Sequence, residues 1–405
     1  MQSGTPVLPL PAKARSGAVQ GGLSTLALLS FGHFFIDLYS SAIGALQPVL
    51  VPGLGLSLSQ AGFLGGTLIL SSSVAQPLYG YLADRIGSRL FTVLAPAVAG
   101  VFISLLGTVP NFALALLCVV LGGAGIASFH PQASAWATVG VVSNRSRWMA
   151  VFISAGTLGM ALGPTAFSLL LTKGGPSNTY WAAIPGLIVT AVLFLAMPQA
   201  PRERHKSHKV NWAELRAHAR PLVILYLLVF IRSIIQITFA QFLPLYLHRE
   251  RLLPLDQANW ALSSYLAFGA IGGFVGGNLA DRFGGGRVIE WSMIGSVPFL
   301  SLFFLTTGPL SFLGLVFGGL VLLFTIPVNV VMAQQLVPSE AGTISALMMG
   351  FSWGMAGIVF IPLTGWISDK LTMHQALFGL VAFPMIGWVL AWRLKKYRHQ
   401  WHESA

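Results

Sequence analysis

The sequence predicts an all-α integral membrane protein, with twelve transmembrane helices in two pseudo-symmetric six-helix bundles. Composition is the first reason: the 405 residues are 55% hydrophobic and only 8% charged, with a mean hydropathy of +0.76. Soluble chains carry about 25% charged residues, so too few polar groups are present to coat a water-exposed surface of this size. The second reason is segmentation into apolar stretches close to the roughly 20 residues that a spanning helix needs. The third is internal repetition, with motifs of the first half returning 196 or 197 residues later.

Residues 1–22 hold Lys13 and Arg15 but no small-residue cleavage site behind a short apolar core, and are expected to form a disordered cytoplasmic tail, not a signal peptide. The first bundle, 23–197, is expected to contain α1 at 23–49, α2 at 59–82, α3 at 90–109, α4 at 111–133, α5 at 147–172 and α6 at 179–197. A basic linker, 198–219, leads to the second bundle, 220–393, with α7 at 220–246, α8 at 258–280, α9 at 288–306, α10 at 309–333, α11 at 341–366 and α12 at 373–393. Residues 394–405 form a second cytoplasmic tail. These lengths suit helices, because membrane barrel strands show about ten residues of alternating polarity.

The formal net charge of +12 would by itself be compatible with nucleic-acid binding. Position decides otherwise. With the N-terminus inside, eighteen Lys and Arg fall in cytoplasmic segments and four, Lys173, Arg249, Arg251 and Lys370, in outer loops. This positive-inside asymmetry places both termini in the cytoplasm and leaves no charge for nucleic acid to explain. The linker is read as a solvated tether, with contact to anionic headgroups as the alternative. The single cysteine, Cys118, excludes a disulfide framework and a CxxC metal site. No catalytic set, cofactor or metal is expected.

GYLADRIGSR, from Gly80 to Arg89, returns as GNLADRFGGGR, from Gly277 to Arg287. The surroundings of Pro48 and Pro244, and of Pro131 and Pro327, match at nearly the same offset. Such duplication builds two halves that rock about a midplane site. In the repeated motif, Asp84 and Asp281 can cap a neighbouring helix or pair with Arg85, Arg89 or Arg282. Gly80, Gly87, Gly277 and Gly284 permit a tight turn and close helix approach. The motif reads as a charge latch on the cytoplasmic face.

GYLADRIGSR resembles the loop motif between helices two and three of the major facilitator superfamily, and the two-half layout extends the resemblance to the whole chain. GHFFIDLY in α1, GAGIASFHPQASAWA from Gly123 to Ala137 and AQQLVPSEAGTISALMMGFSWGMAG from Ala333 to Gly357 together resemble the fosmidomycin-resistance subfamily of drug exporters. Gly159-x-x-x-Gly163-Pro164 in α5 is similar to half of a drug/proton antiporter signature, with Ala150 and Thr165-Ala166-Phe167 standing where the other half would be. Without the family, it reads as a small-residue packing face with a proline kink. The resemblance implies the major facilitator fold and proton-coupled efflux by alternating access, acting on a small anionic, phosphonate-like or amphiphilic compound. It further implies a monomer in the cell membrane, inner or plasma, whose partners are substrate, protons and lipid. An importer or uniporter on the same fold is the alternative. A membrane acyltransferase with His33 as general base is the remote one, since no soluble domain accompanies the motif.

Inside the spans, ionisable groups are few. Asp37 is the one acid of eleven placed mid-span, about 21 Å along α1 at 1.5 Å per residue, where an ionised carboxylate costs about 2.5–3.5 kcal/mol. His33 lies one turn earlier on the same face, so the two can share a proton and are read as the proton-coupling pair. Arg232 in α7 is the one mid-span cation, and the repeat aligns it with Ile36. It either pairs with Asp37 or binds an anionic substrate group through its planar fork. His130, preceding Pro131 in α4, joins Gln132, Trp136, Tyr39 and Gln236 as expected substrate-binding residues, with Gln241, Asn329 and Gln334 as weaker polar lining. The subfamily often has an acid after this His-Pro, whereas Gln132 is neutral.

Overall fold

In the computed structural model, residues 12–86, 88–139, 141, 144–197 and 211–402 are described, and they are helical apart from short connections. The twelve spans are α1 (Gly22–Gly53), α2 (Leu58–Ala83), α3 (Leu90–Leu105), α4 (Phe112–Trp136), α5 (Arg147–Gly174), α6 (Pro176–Ala196), α7 (Ala219–Arg249), α8 (Leu255–Phe283), α9 (Gly285–Leu305), α10 (Gly308–Leu336), α11 (Pro338–Lys370) and α12 (Met373–Tyr397). Ten are long and apolar enough to cross a membrane. The exceptions are α3, which is short, and α8, whose apolar run is diluted by glycine and by Asn259, Ser263 and Ser264. The helix leading into α1 starts at Ala12, so residues 12–22, expected in a disordered tail, are helical. Most of the basic linker lies outside the described residues. Its last part forms a short helix, Trp212–Ala217, capped by Asn211 and fastened to the second bundle where the Asn211 N–H donates to Glu340 Oε1 at 2.8 Å.

Without a hydrophobic drive between helices in lipid, association depends on close packing, and small residues allow it. Glycine supplies that closeness here. Gly159 and Gly163 of α5 lie directly against the carbonyls of Phe34 and Leu38 in α1, leaving no room for a side chain. Gly272 and Gly276 of α8 meet the carbonyls of Leu320 and Phe324 in α10 in the same way. The duplication is visible in three dimensions: Gly80 rests on Pro131, and its counterpart Gly277 on Pro327, the matching proline.

The bundles meet along three helix pairs. In α1 and α7, Gly44 packs on the Ala240 carbonyl. Between α5 and α8, Thr165 Oγ1 donates to Ser263 Oγ at 2.7 Å. The third pair, α2 and α11, runs antiparallel, with Gly62 on Ile361, Gly66 on Pro362, Gly357 on Ile69 and Gly354 on Val74. At the start of α2 this seam is closed by Asp369, which accepts from the N–H groups of Leu58 and Ser59, each at 2.8 Å. Toward the face that carries both termini it opens: Gly342 and Gly350 have open space where a Cβ would stand, and Leu347, Met349 and Phe351 are exposed. Between the bundles lies a cavity of about 400 Å³. Replacing Gly272 by Val should cost about 1–3 kcal/mol of overpacking, read as a lowered Tm of the detergent-purified protein. An unchanged Tm would remove the close α8–α10 contact.

Candidate functional site

Asp37 and His130 line the first-bundle wall of the cavity, and His33 adjoins them. Asp37, buried, receives His33 Nε2 at 3.3 Å on Oδ2 and His130 Nε2 at 3.4 Å on Oδ1. His33 and Asp37 meet as the four-residue spacing predicts, while His130 arrives from α4. The second nitrogen of His33, Nδ1, lies 2.8 Å from the carbonyl of Phe152 in α5. A carbonyl only accepts, so Nδ1 carries a proton. That assignment leaves Nε2 of a neutral His33 with a lone pair aimed at a carboxylate oxygen. The contact is attractive only when a further proton sits between them, on imidazole or on carboxyl. The geometry is therefore that of a one-proton site, with His130 as a second donor to the other oxygen.

Access to this pair depends on Gly156. A Cβ there would stand 2.5 Å from both Asp37 Oδ2 and His33 Nε2. Just beyond the pair, Ser40 Oγ donates to the Asp37 carbonyl at 2.8 Å and Ser41 Oγ to that of Leu38 at 3.2 Å. These back-bonds accompany the turn at Ser41 that interrupts α1. The donor atoms of His33, Asp37 and His130 lie within 4.8 Å of one another, the composition of a two-histidine, one-carboxylate metal set. The two imidazoles face different oxygens of the carboxylate, at 3.3 and 3.4 Å, and the same three groups form an imidazole–carboxylate cluster.

The facing wall carries Arg232. It is 5% exposed, donates from Nη1 to Gln236 Oε1 at 2.5 Å, and lies with its guanidinium carbon 5.8 Å from the centre of the Trp353 ring. Its Nε has no partner, and among the described residues no carboxylate pairs with it. Pairing with Asp37, one of the two roles expected of it, is not made here; both oxygens of that carboxylate face histidines. Arg232, Gln236, Asp37 and His130 nevertheless line one cavity, together with Met160, Met348, Met349 and Trp353.

Other expected residues stand elsewhere. Tyr39 is fully buried, its hydroxyl donating to the Ala182 carbonyl at 2.7 Å. Gln132 accepts from Thr92 Oγ1 at 2.5 Å and donates to the Ser88 carbonyl at 3.1 Å, tying α4 to α3. Trp136 packs on the first-bundle core. These three pack between helices and are not among the residues lining the cavity. Gln241 lines the cavity, Gln334 donates to Ser345 Oγ at 2.7 Å, and Asn329 is fully buried with neither side-chain polar atom bonded to protein.

In the repeated motif, Arg89 caps the end of α6 by donating to the carbonyls of Phe194, at 3.0 Å, and Met197. Arg85 contacts Tyr81, and Asp281 and Arg282 are exposed. The Asp84 side chain and Gly87 fall outside the described residues. Gly284 has a φ of +87°, the left-handed region that glycine tolerates, and begins α9. In the α5 signature, Gly159 and Gly163 serve as backbone contacts on α1, and Pro164 lies within the continuous helix.

Residues 29–255 and 225–405 match the model of the Major Facilitator Superfamily. The chain belongs to that superfamily. A member of this superfamily is a secondary transporter, which sets the acyltransferase alternative aside, and it is a multi-pass membrane protein. Among its relatives is the uncharacterized MFS-type transporter YfnC of Bacillus subtilis (strain 168), 30% identical over 395 residues covering 93% of this chain and 94% of the relative. The fosmidomycin resistance protein of Escherichia coli (strain K12) is 26% identical over 385 residues, with 93% and 94% covered. A crystal structure of a bacterial homolog to the human lysosomal transporter Spinster superposes with a TM-score of 0.80 at 15% identity, covering 92% of this chain and 96% of that one, and shares the major facilitator fold.

Phe152, Gly156 and Trp353 were not legible as site residues. Gly156 did leave a signal, since it continues the glycine run of 159 and 163 by another turn. In this transporter Gly156→Ala should separate His33 from Asp37 and lower the transport rate at least tenfold, about 1.4 kcal/mol, measured in proteoliposomes. Undiminished transport would show that the pair tolerates separation.

Proposed function

We propose that this transporter couples proton entry to the efflux of small compounds bearing an anionic group, phosphonate-like or amphiphilic ones included, across the cell membrane. The observation that carries the reading is one cavity with a one-proton cluster on one wall and an uncompensated arginine on the other. A buried guanidinium with a free donor awaits an acceptor. The soft lining of Met160, Met348, Met349 and Trp353 suits an apolar body of variable shape. The resistance phenotype in the name of the Escherichia coli relative supports the outward direction. Clustering of Lys and Arg at one end of the spans supports cytoplasmic termini, so that the cavity opens toward the cytoplasm. The two glycine-acid motifs lie on that open face, as a latch closing the other state would require.

Losing its proton leaves the cluster with a net negative charge, which Arg232 across the cavity offsets. Loading a proton or a substrate anion moves the cavity charge in opposite directions about that neutral state. Exchange of one entering proton for one leaving monoanion carries two charges through the membrane potential. The drive is about 4.6 kcal/mol per 100 mV at 2.3 kcal/mol per charge, with a further 1.36 kcal/mol per pH unit.

The test is transport by purified protein in liposomes, with the pH gradient and a potassium diffusion potential set separately. Both gradients are expected to accelerate transport of an anionic compound, and Asp37→Asn is expected to abolish the pH response while leaving a folded, monodisperse protein. An intact pH response in that variant removes the cluster from coupling. Arg232→Gln should raise KM for anionic compounds about tenfold, 1.4 kcal/mol, with little change for neutral analogues. An equal rise for both overturns its role as the anion anchor.

A further inference from the structure

The end of α11 carries, on the face opposite the termini, a pattern present on the terminal face at the end of α2 and, with Asn278 in place of the aromatic, at the end of α8. Gly365-Trp366-Ile367-Ser368-Asp369-Lys370 repeats the order glycine, aromatic, aliphatic, small, aspartate, base of Gly80-Tyr81-Leu82-Ala83-Asp84-Arg85. The two stretches occupy the C-terminal ends of α11 and α2, the antiparallel partners in the seam between bundles. At α11 the aspartate is engaged with the other bundle. The Leu58 N–H donates to Asp369 Oδ1 and the Ser59 N–H to Oδ2, each at 2.8 Å, while Ser59 Oγ also donates to Oδ2.

These are amides of the first turn of α2, which have no partner within the helix. The carboxylate also meets the positive end of the helix dipole. The start of α2 is already closed by its own capping box, in which Ser57 accepts from the Gln60 N–H and Gln60 Oε1 from the Ser57 N–H. Asp369 therefore adds an inter-bundle contact to a helix start that does not need it for local order. Gly365 makes the approach possible, since a side chain there would collide with the Leu58 carbonyl.

We propose that Asp369 is a gating residue of the transport cycle: it holds the two bundles together on the face opposite the termini and must let go each time the cavity opens there. Its residue order is that of the Asp84 motif, carried here by the other helix of the seam and on the opposite face. The inference rests on the two-state reading of the preceding section, in which a latch closes the terminal face in the other state, but not on its proton or substrate assignments. Asp369 acts through the position of α2 and touches no cavity group, so it is a positioning residue.

The experiment reads conformer populations directly. With Cys118 replaced by Ser, spin labels at Lys173 and Leu371 report the separation of the bundles opposite the termini, and labels at Ile86 and Leu347 report it on the terminal face. Distances are measured by pulsed electron paramagnetic resonance in lipid nanodiscs without substrate. Asp369→Ala is expected to raise the ratio of conformers open opposite the termini at least threefold and to shorten the terminal-face distance in step, the range of effect that helix-capping side chains produce. Asp369→Asn, which keeps one acceptor oxygen, should fall between the alanine variant and the parent. Ser59→Ala should shift the same way by a smaller factor.

Unchanged distance distributions in folded Asp369→Ala overturn the proposal. If that variant does not accumulate, Asp369→Asn and Ser59→Ala decide it by the same criterion. Failure of pH-driven transport with the expected population shift would instead overturn the proton reading alone, so the two are separable.

Discussion

A carboxylate buried at the middle of a membrane span constrains everything around it. Asp37 cannot be left ionised and alone in a low-dielectric site, and the surrounding helices are arranged to meet that demand. α1 supplies His33 one turn away, α4 supplies His130, and α5 supplies a bare glycine so that the imidazole can approach. The carbonyl of Phe152 then settles which nitrogen of His33 bears hydrogen. Arg232 stands on the facing wall of the same cavity, its Nε unpartnered.

The fold was legible to the extent that it follows from lipid as solvent. Span count and duplication depend on length, apolarity and recurring loop residues, all of which are local. What required the structure was rotation of each helix about its axis. Tyr39 follows Asp37 by two residues and Gln132 follows His130 by two, about 200° around a helix. When Asp37 and His130 face the cavity, Tyr39 and Gln132 face away from it and tie neighbouring helices together. A list of polar residues near a site cannot make that distinction.

The meeting of His130 with Asp37 was equally hidden, because the register of α4 against α1 is set by glycine contacts spread over several helices. Arg232 shows the reverse case. Repeat alignment placed it at the depth of Asp37, and the structure sets it on the same cavity, but equal depth did not establish a bond.

The connection between bundles has a mechanical consequence. Its two ends are pinned, with the Met197 carbonyl held by Arg89 and the Asn211 N–H held by Glu340. Each end therefore moves with its own bundle, since Arg89 belongs to the first and Glu340 to the second. Relative motion of the bundles leaves both anchors unbroken, and what opposes it is the contact of helix on helix.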